Sequence, residues 1–145
     1  EYREKMINAS MIAGLAFTNV SLGIVHSMAH TLGSVFGISH GLADAVLLPY
    51  VMKFNSQDEK AKNTYDDAAK VVGADNLIDV VEKLNSSVGI PEALKELIPD
   101  RDAYYAKLDV MADMALRDGC TKTNPIIPTT EQLKELFIKA YNGTK

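Results

Sequence analysis

From Met6 to Met52 the chain carries one formal charge, Asp44, although 23% of the whole sequence is charged. So long a neutral run in such a chain implies burial or the lining of a site. Within it, apolar positions recur at helical spacing. Residues 1 to about 20 predict a first helix, with Met6, Ile7, Met11, Leu15 and Val20 on or near one face. Ala9, Ala13, Gly14 and Ala16 keep its other faces thin, and Thr18 and Asn19 give it a polar end. Ser21 predicts the cap of a second helix over about 22–36. Leu22, Val25, Met28, Ala29, Leu32, Val35 and Phe36 make that helix apolar nearly all round, the pattern of a central helix. Gly37 and Ser39 break it. A third helix over about 40–54 contains Pro49, which predicts a kink or a shift to a second segment.

Beyond Asn55 the pattern turns amphipathic. A polar helix over about 58–72 stops at Gly73. Asp75 or Asn76 starts another, to about Asn85, with Leu77, Ile78, Val80, Val81 and Leu84 as its apolar face. Pro91 suits the first turn of a short helix over 92–97. Tyr105, Leu108, Met111, Ala112 and Ala115 stripe a single helix over about 102–116, and 122–128 reads as extended. Thr129-x-x-Gln132 is a capping box for a last helix that Gly143 ends. No repeat, low-complexity tract or confident strand interrupts this series. The expected fold class is all-α, a helical bundle in one domain over 1–145.

Composition narrows the function. With 145 residues the chain can bury one core. Its net charge of −4 comes from mixed signs without a basic stripe, which argues against nucleic acid. A single cysteine, Cys120, rules out an internal disulfide and fits a reducing cytoplasm. Glycines and Pro49 break the neutral stretch, so no run of roughly twenty apolar residues survives to span a membrane. Asn85-Ser86-Ser87 and Asn142-Gly143-Thr144 match the glycosylation pattern, read as coincidence without a secretory signal.

All three histidines lie in the neutral stretch, at His26, His30 and His40. His26 and His30 are four apart, hence on one face of a helix. A turn at Gly33, Gly37 and Ser39 lets His40 face them. Imidazole suits iron, zinc, copper and nickel. The same spacing also serves core histidines bonded to backbone or to each other. Asp44 offers a fourth ligand or an acceptor for an imidazole N–H, although a capping or salt-bridged aspartate is the ordinary reading. Cys120 reads ordinarily as a buried thiol.

The runs AGLAFTN, LGIVHSMAH, LG and HGLADAVLLPYVMKFN, with the later GCTKTNPIIPTTEQL, resemble the group III iron-dependent alcohol dehydrogenases over most of the chain. The resemblance implies the dehydroquinate synthase-like C-terminal helical domain of that family. It implies a metal, iron(II) with zinc as the alternative, acting as Lewis acid while hydride passes between a primary alcohol or aldehyde and NAD or NADP. One aspartate and three histidines hold the family's metal, and His26 and His40 match two of them. His30 matches a histidine near nicotinamide and substrate that is suspected of relaying a proton. Phe17, Leu22 and Cys120 match positions lining the nicotinamide and substrate pocket. The other two ligands lie upstream in the family and have no counterpart here. The family usually has asparagine at Asp44 and arginine at Ile126, so this chain gains a negative charge near the site and loses a cation.

The chain starts at Glu1 inside what reads as a helix in progress. It has no Gly-rich phosphate loop and no alternating strand–helix pattern. The expectation is therefore a helical domain incomplete on its N-terminal side, inactive by itself, with the missing N-terminal nucleotide-binding domain as its partner. Apolar surface left bare by that loss is expected, and a homo-oligomer is one way to cover it. A stand-alone helical module, metal-storing or partner-binding, is the alternative. A zinc-dependent polyol dehydrogenase of the same superfamily is a third reading, but the HSMAH to HGLADAVLLP spacing is closer to the iron group.

Overall fold

The computed structural model describes residues 1–144. Among them the chain forms α1 (Tyr2–Val20), α2 (Ile24–Phe36), α3 (His40–Asn55), α4 (Glu59–Val71), α5 (Leu77–Ser87), α6 (Arg101–Tyr105), α7 (Leu108–Arg117) and α8 (Thr130–Asn142), with 3₁₀ turns at Leu94–Glu96 and Gly119–Thr123. No strand is present among the described residues, and the all-α expectation holds. Among the described residues no single helix is long and apolar enough to cross a membrane.

Helix α2 is central, packed against α3 on one side and α7 on another, while α8 covers α7 and touches α3. Ile24, Met28 and Leu32 of α2 meet Leu47 and Tyr50 of α3, Met111 of α7 and Phe137 of α8 in one buried cluster. The apolar circumference of α2 thus does what its pattern implied. Tyr104 is buried at the far end of this core, its hydroxyl donating to the Phe137 carbonyl (2.9 Å). Burial pushes the Tyr104 phenol far above its ordinary range.

Several expectations need correction. The stripe on α1 meets no core: none of its residues is buried, and Met6, Ile7 and Leu15 are 64–70% exposed. The chain bends by 105° between α1 and α2, so α1 projects from the bundle. Ser21 is the reason and not a cap for α2. It adopts a left-handed conformation (φ 64°) and its N–H closes α1 on the Phe17 carbonyl. The cap of α2 is Gly23. The helix expected over 102–116 is two helices that bury different sides, Tyr104 from α6 and Leu108, Met111, Ala112 and Ala115 from α7. The short helix expected over 92–97 shrinks to the 3₁₀ turn Leu94–Glu96. Lys122 and Thr123 belong to a 3₁₀ turn, and the chain becomes extended only at Asn124 (φ −70°, ψ 143°). The capping box of α8 forms in both directions, Thr129 Oγ1 accepting from the Gln132 N–H and Gln132 Oε1 from the Thr129 N–H.

Pro49 neither ends α3 nor divides it. Its missing N–H frees the Ala45 carbonyl, and Asn85 of α5 donates its side-chain amide there (2.7 Å). The amide that looks like a glycosylation acceptor is a tertiary patch for a helix break. Asn85→Ala should lower unfolding free energy by about 1 kcal/mol. In a Pro49→Ala background the restored N–H takes that carbonyl, so the same change should cost less. Urea denaturation of the four proteins checks this, and equal costs in both backgrounds would disprove the role.

Candidate metal centre

The three histidines meet. His26 and His30 project from one face of α2, ring centroids 6.4 Å apart. Gly37 closes α2 in a left-handed conformation (φ 70°) that a side chain would strain, and Ser39 starts α3 at His40. The His40 ring stacks on His30 (5.0 Å, 14° between planes) and lies 5.0 Å from His26. His26 Nδ1 is 3.0 Å from His40 Nε2. Asp44, one turn along α3, reaches back to the same point: Oδ2 is 3.0 Å from His40 Nε2 and 3.6 Å from His26 Nδ1. The other oxygen, Oδ1, is buried without a hydrogen-bond partner. Burial holds His26 below the usual imidazole range, reinforced by His40 and His30 against the pull of Asp44. This favours the neutral imidazole, the form that ligates metals. Burial raises Asp44, against the opposing influence of the three histidines.

The third imidazole belongs to a different set of partners. His30 Nδ1 lies 2.8 Å from Asp118 Oδ2. Asp118 Oδ1 accepts the Cys120 backbone N–H (2.8 Å), and Ser27 Oγ approaches it at 3.4 Å. The Thr121 hydroxyl stands 2.8 Å from Ser27 Oγ, fixing that side chain in turn. Burial by itself would raise Asp118, but the Cys120 N–H and His30 outweigh it and keep the carboxyl below its ordinary range. An ionised carboxylate only accepts, so His30 Nδ1 carries the proton of this bond, and in the singly protonated ring Nε2 keeps its lone pair. Burial and the neighbouring Asp118 push the Cys120 thiol up, which leaves it protonated and a poor nucleophile. Spacing along the chain hid this neighbourhood, because His30 and Asp118 are 88 residues apart.

Comparison with known proteins fits this arrangement. Residues 1–141 match the family described as Fe-containing alcohol dehydrogenase, C-terminal. The chain belongs to the iron-containing alcohol dehydrogenase family. It is 40% identical over 154 residues to an NADPH-dependent butanol dehydrogenase of Clostridium saccharobutylicum, covering all of this chain and 39% of that protein. It is 37% identical over 150 residues to a 1,3-propanediol dehydrogenase of Citrobacter freundii, covering 96% of this chain and 37% of the relative. Among solved structures, the iron-containing alcohol dehydrogenase of Thermococcus thioreducens superposes with a TM-score of 0.87 at 39% identity, over 94% of this chain and 36% of that one. The chain thus spans less than two-fifths of the length of these relatives.

The residues present fit a divalent ion at the His26–His40 pair. Two ligand atoms sharing a first-row ion at about 2.1 Å stand roughly 3.0–3.4 Å apart. The separation between the two imidazole nitrogens lies in that range. The remaining expected positions are less uniform. Leu22 joins the Cys120 side of the site, its carbonyl accepting the Thr123 hydroxyl. Phe17 sits on the projecting α1, 43% exposed, and no bond or ring contact ties it to the histidines among the described residues.

Sequence reasoning passed over the residue that holds these parts in register, Asn124. Its Oδ1 accepts from the Ile24 backbone N–H (3.2 Å) and from Asn55 Nδ2 (3.1 Å). Its Nδ2 donates to Asn55 Oδ1 and to the Ile126 carbonyl, each at 2.7 Å. The start of α2, the end of α3 and the segment after Asp118 are thereby tied to one buried amide. The available signal was slight: Asn55 closes the long neutral stretch after MKF, and Asn124 precedes Pro125. Gly23 completes the joint, since a Cβ there would stand 2.6 Å from Asn124 Oδ1.

Gly23→Ala should therefore destabilise the chain by about 1–3 kcal/mol, the usual cost of overpacking a buried site, as read by chemical denaturation. A change within experimental error would show that the Asn124 amide yields. The hydrogen bond to Asp118 makes a separate prediction for His30. Imidazole ¹⁵N NMR of the native chain should show the Nδ1–H tautomer, and Asp118→Ala should convert it to Nε2–H, the form favoured in water. An unchanged tautomer would remove Asp118 from that role.

Proposed function

We propose that this chain is the metal-holding helical domain of an alcohol dehydrogenase that interconverts primary alcohols and aldehydes. In this reading the coenzyme is NAD or NADP, and the metal is iron(II), with zinc as the other candidate. The observation that carries the reading is the meeting of His26 Nδ1 and His40 Nε2 at 3.0 Å, on a chain matched by the iron-containing family over residues 1–141. The bare apolar stripe of α1 supports a role as one part of a larger protein, because such a surface is ordinarily covered. The NADPH dependence of the clostridial relative supports NADP as coenzyme.

When bound, the ion would supply Lewis acidity toward an alcohol oxygen and the nicotinamide would supply a hydride acceptor. His26 and His40 would hold the ion as neutral imidazoles. His30, with Nδ1–H directed at Asp118, presents Nε2 to receive the alcohol proton. Asp118 orients that ring and stabilises the imidazolium that results. His30 is also half-exposed, so the proton has a way out to solvent. Leu22 and Cys120 lie together beside this centre, their carbonyls both accepting the Thr123 hydroxyl.

A chimera tests this reading. The chain replaces the matching portion of the clostridial butanol dehydrogenase, and butanol oxidation with NADP is measured. Turnover is expected, and His26→Ala or His40→Ala should lower kcat/KM by roughly a hundredfold or more. The chain by itself is expected to oxidise no alcohol. A folded, metal-loaded chimera without turnover, or one indifferent to both histidines, would overturn the proposal.

A further inference from the structure

The resemblance that supplies His26 and His40 supplies asparagine, not aspartate, at position 44. The structure gives that departure a location. Asp44 Oδ2 lies 3.0 Å from His40 Nε2 and 3.6 Å from His26 Nδ1, the two nitrogens read as metal ligands. Two sides of this triangle, both 3.0 Å, lie in the range that donors on one divalent ion make, and the third, 3.6 Å, is a few tenths of an ångström wider. An ion pair with His40 alone accounts for Oδ2 but not for Oδ1, which is buried and unpartnered. A buried carboxylate oxygen with no hydrogen bond is uncommon and calls for a missing partner. A cation held between His26 and His40 would supply it, since a carboxylate can engage an ion through either or both oxygens. The spacing permits this, because His40 and Asp44 are one turn apart on α3 and point the same way.

We propose that Asp44 is a third protein ligand of the divalent ion, so that this chain by itself carries a two-histidine, one-carboxylate set. This rests on the reading of His26 and His40 as ligands and extends it. Such a set with open positions suits iron(II). The added negative charge offsets part of the ion's charge, holding it more tightly than asparagine would and moderating its Lewis acidity.

The test is an anaerobic titration of the 145-residue chain with cobalt(II), read by its visible d–d absorption, with iron(II) and zinc as competitors. One ion per chain is expected to bind. Asp44→Asn, nearly identical in shape, should weaken binding at least tenfold and shift the visible bands. A second measurement needs no variant to fold. In native chain labelled with ¹³C-aspartate, zinc should displace the Asp44 carboxyl resonance more than that of Asp118. Binding lost in His26→Ala and His40→Ala but kept in Asp44→Asn, with an unmoved Asp44 resonance, would overturn the proposal and leave the histidine pair standing. Binding indifferent to all three changes would overturn both readings. No binding by the native chain at millimolar metal would also overturn the proposal, because a complete three-ligand set binds without further protein.

Discussion

The geometry of the site depends on one buried carboxamide. Asn124 makes four hydrogen bonds, the full capacity of an asparagine side chain. They reach the first N–H of α2, the last residue of α3 and the segment that follows Asp118. A buried amide is tolerable only when every donor and acceptor is paired, so this joint has one low-energy arrangement. The helices bearing His26 and His40 are thereby fixed to the turn bearing Asp118 and Cys120.

Within that frame the histidine cluster has two sides. His26 and His40 turn their nitrogens toward each other and toward Asp44, while His30 turns toward Asp118. The two carboxylates also differ. Asp118 accepts a backbone N–H and is held below its ordinary range, whereas Asp44 has one oxygen without a partner among the described residues. A fixed anion suits the orientation of an imidazole, and an under-satisfied one suits a cation. One face of α2 thus carries two imidazoles with different partners, one turn apart.

The projecting α1 stands in contrast. Its apolar residues are as numerous as those of a core helix, yet none is buried. Its exit is set by Ser21, a residue other than glycine in left-handed conformation, which must be maintained by its surroundings. Phe17 near that exit lies on a helix none of whose residues is buried.

The sequence determined the local elements and the residues of the centre. The neutral stretch marked α2 as central, the HxxxH spacing put His26 and His30 on one face, and Thr129 with Gln132 marked the start of α8. These follow from short-range geometry, a turn of helix or a cap, which a few adjacent residues specify. Only the tertiary structure decided which way Ser21 sends the chain, how α3 runs on through Pro49, and that 102–116 divides in two. Only it brought Asp118 to His30 and Asn124 to Gly23, pairs separated by tens of residues. Those contacts depend on where whole helices come to rest, and that is settled by summed packing rather than by any local pattern.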